Sequence, residues 1–254
     1  MHSFFDSKRF QLLVAKHWAD NKRRYGLSIL ALTGLFTIWF LFQVLVRDKE
    51  SFSAEMQMGS FYFGLFATGT LYASQYFQDL ASRPKGIHFL TVPASTFEKF
   101  LCGWLYTVVL FLAVFSAIFY VVDAVMIALY NNVYGLQGGE KASLVNVFKA
   151  PIFLESEDKT TTYFVLFFLS VQAAFLLGSV VFHKYSFVKT VISFFVLFFV
   201  VFCLTYLFQD VVLPDGGEGP FADWIPKVFA FVIMYAVAPL LWTVAYFRLK
   251  QKQV

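Results

Sequence analysis

Few side chains in this sequence are suited to chemistry, and their spacing argues against most kinds of active site. The histidines are His2, His17, His88 and His183, and the cysteines are Cys102 and Cys203. No two histidines have the spacing of a metal-binding helix such as H-E-x-x-H. Both cysteines fall within apolar runs, where we expect them to pack as small hydrophobic residues. The spacing therefore predicts no metal site and no redox centre.

The sequence also lacks the loop with which many nucleotide hydrolases hold phosphate. That loop, G-x-x-x-x-G-K-[ST], surrounds the phosphates with backbone N–H groups and a lysine. It occurs nowhere in the chain. We therefore expect no enzyme activity and no cofactor in this chain, and we expect any ATP and magnesium to be bound by another chain.

Asp123 is an acid near the end of a long apolar run, in the stretch FYVVDAVMIALY. An acid within a membrane segment is by default a candidate functional residue. At the end of such a segment, however, a solvated side chain is the more common outcome. Both interpretations stay open at this point.

The elements that must carry these residues are membrane helices. Hydrophobic residues make up 59% of the 254 positions, charged residues make up 14%, and there are 35 phenylalanines. About 20 helical residues cross a bilayer core roughly 30 Å thick. Runs of that length predict six spans: Tyr25–Val46, Ser60–Leu80, Phe100–Val122, Tyr163–Phe182, Phe187–Phe208 and Val228–Phe247. The predicted fold class is an all-α integral membrane protein, one domain over residues 1–254.

The distribution of charge predicts the orientation. Most of the 20 Lys and Arg residues fall on the side of the N-terminus, and most acids fall on the other. Positive charge marks the cytoplasmic side, so both termini are expected to be cytoplasmic, with outer loops over 131–162 and 210–227. No basic run is interleaved with exposed aromatic residues on a soluble domain, so we expect no nucleic-acid partner.

The N-terminal segment, residues 4–22, has the pattern of an amphipathic helix. Its apolar residues recur with helical spacing, at Phe10, Leu13, Val14, His17 and Trp18. A helix with this pattern lies on the cytoplasmic membrane face, with its basic residues toward lipid headgroups. The residues expected at that surface are Lys8, Arg9, Lys16 and Trp18. The alternative is a soluble helix packed against a partner.

The predicted cytoplasmic loop over 81–99 is the one segment that argues for a protein partner. Pro84 ends the preceding helix and Gly86 turns the chain. Ile87–Val92 is an apolar patch too short to span a membrane, and such a patch either enters the interface or binds a partner. Ser95 and Glu98 then form the S-x-x-E pattern of a helix start.

This loop resembles the cytoplasmic loop of type-2 export-class ABC transporter permeases, and PASTFEKF is similar to the PASTLEKF-type sequence of one bacterial branch. The matching residues are Lys85, Gly86, Phe89, Leu90, Pro93, Ser95, Lys99 and Gly103. In that family a short helix in this loop, the coupling helix, seats in the ATPase subunit. The resemblance implies six spans, an N-terminal interfacial helix and both termini inside.

The resemblance further implies a permease subunit in a bacterial inner membrane, whose partners are an ATPase subunit, a second permease copy and membrane lipid. The residues expected to contact the ATPase are Lys85, Gly86, Ile87, Phe89, Leu90, Pro93, Ser95, Glu98 and Lys99. Because the spans carry little fixed charge, we expect an amphipathic or lipid-like substrate. The alternative function is a non-transporting membrane anchor or scaffold within a larger machine.

Overall fold

In a computed structural model, every regular element of the described chain is helical. The structure describes residues 5–46, 53–81, 86–87, 89, 91–133, 141–147, 160–182, 184–207 and 231–252. In chain order the elements are α1 (Ser7–Val46), α2 (Ala54–Tyr76), a 3₁₀ turn (Gln78–Ala81), α3 (Thr96–Trp104), a first π-helical turn (Leu105–Leu110), α4 (Phe111–Val133), α5 (Thr160–Val181), α6 (Ser186–Leu207), a second π-helical turn (Val232–Ala236) and α7 (Val237–Gln251).

Among the described residues, four helical stretches are long and apolar enough to cross a membrane. They are Ser7–Leu45, Thr96–Val133, Thr162–Val181 and Ser186–Leu204. They match the first, third, fourth and fifth predicted spans, so the chain is a multi-pass helical membrane protein. Helices also lie at the second and sixth predicted spans, but crossing there stays a prediction, as does the side on which the termini lie.

The first helix differs from its prediction. We expected an interfacial helix over 4–22 and a separate span from Tyr25, whereas α1 is one helix of 40 residues. At 1.5 Å per residue it is roughly 60 Å long, about twice the thickness of the hydrocarbon core. No proline occurs in α1 to interrupt the hydrogen-bond ladder, so the basic stretch around Arg23 continues the same helix.

The third predicted span, Phe100–Val122, lies within a longer helical stretch. α3, the first π-helical turn and α4 follow one another without a gap from Thr96 to Val133. The predicted start at Ser95 is within one residue of the observed start, which leaves Ser95 at the N-cap position. The second π-helical turn has a local cause, because Pro239 has no N–H to offer the carbonyl of Tyr235, four residues earlier and within that turn.

Contacts divide the chain into two units, of which unit 1 comprises Met1–Gly69 and Phe97–Phe164. Its core is a cluster of phenylalanine rings from α1, α2 and α4. The ring centroid of Phe119 lies 5.4 Å from that of Phe36, 5.9 Å from that of Phe40 and 5.0 Å from that of Phe61. Gly64 lets α2 approach this cluster, because a Cβ there would stand 2.8 Å from the Phe36 ring.

Unit 2 comprises Thr70–Thr96 and Val165–Val254. Within it α5 and α6 make a close crossing, since a Cβ at Gly178 would overlap the hydroxyl oxygen of Thr190. The Lys252 Nζ donates a hydrogen bond of 2.6 Å to the carbonyl of Val180. This lysine therefore satisfies one of the last carbonyls of α5, where a cation is also favoured by the helix dipole.

Candidate functional site

The predicted partner-binding loop, residues 81–99, is helical over part of its length. Residues 86, 87, 89 and 91 are helical, and Gly86 is buried. The half-buried ring of Phe89 meets the ring of Phe77 edge-on, with 6.1 Å between their centroids. Ile87 is 62% exposed. The helical stretch thus has one side chain packed on its own unit and one directed away. Lys85 and Leu90 lie outside the described residues.

A bend joins this stretch to α3. The N–H of Ala94 bonds to the carbonyl of Val92 at 2.7 Å, across the exposed Pro93. Ser95 follows as the last residue before α3. The helix start lies within one residue of the predicted start at Ser95. Gly86, which was predicted to turn the chain, is helical, and the bend lies at residues 92–94.

Glu98, in the first turn of α3, is held by the beginning of α1. Its side chain is fully buried, and Oε1 accepts a hydrogen bond of 2.8 Å from the N–H of Asp6. Arg9 donates to both carboxylate oxygens, from Nε to Oε2 and from Nη2 to Oε1, each at 2.7 Å. Such two-pronged charged hydrogen bonds are the strong, orienting kind. Glu98 is therefore a junction between α1 and α3.

The start of α1 is well defined by Asp6. Its Oδ1 accepts hydrogen bonds from the N–H groups of Lys8, at 2.9 Å, and Arg9, at 3.5 Å. These are the second and third residues of the helix, so Asp6 acts as the N-cap. Because the N–H of the same Asp6 bonds to Glu98, Asp6 both caps α1 and takes part in the contact between α1 and α3.

The predicted contact residues thus separate into two groups. Ile87 and Pro93 are exposed, whereas Glu98 and Lys99 are buried inside this chain, with 0% and 3% of their surfaces exposed. The structure does not test binding of a partner. It does show that the Glu98 side chain is used to join two helices of its own chain.

The residues predicted at the membrane surface also differ in how far their side chains are exposed. Lys8, Lys16 and Trp18 are exposed, and Arg9 is turned toward Glu98. The apolar stripe of α1 packs against the segment after α3, where the hydroxyl of Tyr106 donates to the carbonyl of Val14 at 3.0 Å. Part of the stripe is thus covered by the chain itself, which neither sequence-based alternative included.

An aromatic cluster extends this contact. His17 and Tyr25 share a hydrogen bond of 2.7 Å between Nε2 and the phenol oxygen. The ring of Tyr106 lies 4.5 Å from that of His17 and 5.6 Å from that of Tyr25, centroid to centroid. The cluster ties α1 to the first π-helical turn, about two helical turns beyond Glu98.

Asp123 is not solvated, contrary to the interpretation that the sequence favoured. Its side chain has no exposed surface, and neither carboxylate oxygen has a hydrogen-bond partner in the part of the chain that the structure describes. A buried polar group without a partner is costly, and such groups concentrate at functional sites. Asp123 is therefore a second candidate site.

The chain beyond α4 folds back over this region. Asn131 pairs with both backbone groups of Ala142, at 2.9 Å each, and Gln57 bonds to the carbonyl of Ser143 and the N–H of Val145, at 3.1 Å each. We call residues 141–147 the covering segment. Sequence patterns did not single out either of these two side chains, because each lies near a helix end, where a polar residue is ordinary.

Two tyrosines hold the other end of the covering segment. The hydroxyl of Tyr62 donates to the carbonyl of Val147, and the N–H of Val147 donates to the hydroxyl oxygen of Tyr120, both at 3.2 Å. Val147 itself is completely buried. The covering segment is therefore fastened to α2 and α4 through backbone groups.

No protein-family model, curated protein or solved structure matches this chain. Among the described residues, no group of three or more His, Cys, Asp or Glu side chains is placed to hold a metal ion.

Proposed function

We propose that this chain is the permease subunit of an ATP-driven ABC exporter and binds a separate ATPase chain through the loop over 81–99. In this proposal both termini and the loop are cytoplasmic, two permease copies assemble in a bacterial inner membrane, and the substrate is amphipathic or lipid-like. The support from sequence is the resemblance of KGIHFLTVPASTFEKF to the coupling loop of type-2 export permeases.

The observation that carries the proposal is the asymmetric packing of the short helical stretch. Phe89 rests on Phe77 at the end of α2, while Ile87 is directed outward. A partner that contacts Ile87 would therefore push on a helical stretch that packs, through Phe89, against the end of α2. An exposed apolar side chain on a helix that is supported on its other side by its own chain is suited to insertion in a groove of another protein.

The junction at Glu98 supports a role in transmitting movement. The loop continues directly into α3, and Glu98 connects the first turn of α3 to α1 through Arg9 and Asp6. Movement of the first turn of α3 would therefore be passed to the start of α1. ATP binding and hydrolysis shift the permease between arrangements only if the ATPase contacts differ between them.

Co-purification with a candidate P-loop ATPase, sought among the neighbouring coding sequences, tests the proposal. Ile87→Asp is expected to abolish association, since it buries a charge in the docking groove. Leu12→Asp, an equally drastic change at a side chain that is 72% exposed on α1, serves as the matched control and is expected to retain association. Association that survives Ile87→Asp would refute docking through this loop.

A second measurement separates transport from scaffolding. The purified complex in liposomes is expected to move a fluorescent phospholipid analogue when ATP and magnesium are added. A complex that assembles through Ile87 but gives no ATP-dependent movement of any amphipathic probe would favour the non-transporting scaffold.

A further inference from the structure

Asp123 lies on α4 between the two residues of that helix that hold the covering segment. Tyr120 and Asn131 fasten that segment to α4 at points eleven residues apart, about 16 Å along a helix. The five residue steps from Ala142 to Val147 span about 17 Å when extended. The segment therefore runs nearly extended along α4, and Asp123 occurs between its two attachment points.

The surroundings of Asp123 offer little to an ionised carboxylate. Within α4 the other titratable groups are the phenols of Tyr120 and Tyr130, and α2 contributes that of Tyr62. The charged residues described on neighbouring elements are Glu55 on α2 and Lys141 on the covering segment, and both are exposed. Residues 25–46 of α1 carry no charge. An ionised carboxylate that is buried without a partner is too costly to persist.

We propose that Asp123 is a proton-binding site, and that the covering segment closes over it only while the carboxyl carries a proton. A proton is the cation that needs no cavity, which suits a side chain with no exposed surface. When the segment lifts, water reaches the carboxyl and the proton leaves. Opening at the segment's side of the membrane is thereby coupled to release of one proton, and this coupling does not depend on the proposed transport function.

The coupling has a definite sign. A carboxyl reached by water is ionised at neutral pH. Opening then releases a proton, and raising the pH favours it. The limit for one released proton is a tenfold change in the opening equilibrium per pH unit.

A buried reporter in the segment tests this without any ATPase. In a background with Cys102→Ala and Cys203→Ala, Val147→Cys places a thiol where the native side chain is completely buried, and Lys141→Cys places one where it is exposed. Both are labelled with a water-soluble thiol reagent in nanodiscs between pH 6 and 8.5. The ratio of the two rates removes the intrinsic pH dependence of the thiol.

We expect the ratio to rise with pH, by up to about tenfold per unit. With Asp123→Asn, which is neutral at every pH and of the same shape, the ratio is expected to be flat. A flat ratio in the native background overturns the proposal, even if the Asn variant fails to fold. An equally steep ratio in the Asn variant also overturns it, as does a ratio that follows sodium concentration instead of pH.

Discussion

Arg9 and Glu98 are 89 residues apart in the sequence, yet the guanidinium of Arg9 bonds to both oxygens of the buried Glu98 carboxylate. The same carboxylate accepts the N–H of Asp6, the cap of α1. The start of the helix after the loop is thus fixed to the start of the first helix.

Replacing Arg9 is expected to destabilise the protein more than replacing its neighbour. Arg9→Met leaves a buried carboxylate without its cation, and breaking such a pair from one side is more harmful than removing both partners. We therefore expect a lower thermal midpoint for Arg9→Met, with partial recovery in the double variant Arg9→Met, Glu98→Leu. Lys8→Met, at an exposed position, is the control. Equal midpoints for Arg9→Met and Lys8→Met would contradict this account.

The crossing of α5 and α6 predicts strong intolerance at Gly178. In Gly178→Ala the new Cβ would overlap the Thr190 hydroxyl and stand 3.2 Å from its methyl group, so the Thr190 side chain or the helices must shift. We expect a loss of about 1–3 kcal/mol in the free energy of unfolding, measured by detergent denaturation.

Two variants test the cause of that loss. Gly34→Ala, where nothing lies within 4 Å of the added atom, is expected to be neutral or slightly stabilising because alanine favours helix. Thr190→Ala, which removes the hydroxyl oxygen and the methyl group but keeps the Cβ 3.1 Å away, should restore part of the stability of Gly178→Ala. No recovery in that double variant would show that the crossing is not the reason.

The phenylalanine cluster of unit 1 predicts a large effect at Phe119. Its ring is completely buried among three others, so Phe119→Ala loses packing that lipid cannot replace. We expect a loss of about 3 kcal/mol in the free energy of unfolding. Phe198→Ala, at a side chain that is 71% exposed, is expected to change it little. Similar losses for the two variants would indicate that the cluster does not form.

The hydrogen bonds of Gln57 are expected to determine how firmly the covering segment is held. Gln57→Leu removes two hydrogen bonds to the segment, and each is worth about 1 kcal/mol net. Labelling of the Val147→Cys reporter should therefore rise at least about tenfold at constant pH. Gln75→Leu, at an exposed position on the same helix, is the control. An unchanged labelling rate would mean that Gln57 does not hold the segment closed.

Local patterns were sufficient to place most of the helices. The predicted spans over 163–182 and 187–208 agree with α5 and α6 to within a few residues, because uninterrupted apolar runs record membrane helices directly. The continuity of α1 was missed because a cluster of charge resembles a boundary, although it contains no residue that breaks a helix.

The contacts of the candidate sites were harder to predict, since they join residues distant in sequence. Glu98 was interpreted from its spacing to Ser95, and nothing in that spacing indicates Arg9. The sequence favoured a solvated Asp123 because this residue follows a full span, whereas its side chain is buried. The segment that is fastened to α4 on either side of Asp123 lies more than 15 residues later in the chain and is not helical. Hydrophobic periodicity carries no signal for such a segment.

The manner in which the covering segment is attached has a consequence for the evolution of this chain. The side chains that hold the segment form hydrogen bonds with its backbone carbonyl and N–H groups, and every amino acid other than proline provides both groups. These side chains are Asn131, Gln57, Tyr62 and Tyr120. The exposed side chains of the segment, such as Ser143 and Leu144, are therefore little constrained by these hydrogen bonds. The amino acids at these exposed positions can therefore change between related chains, or be replaced by design, while the path of the backbone stays the same.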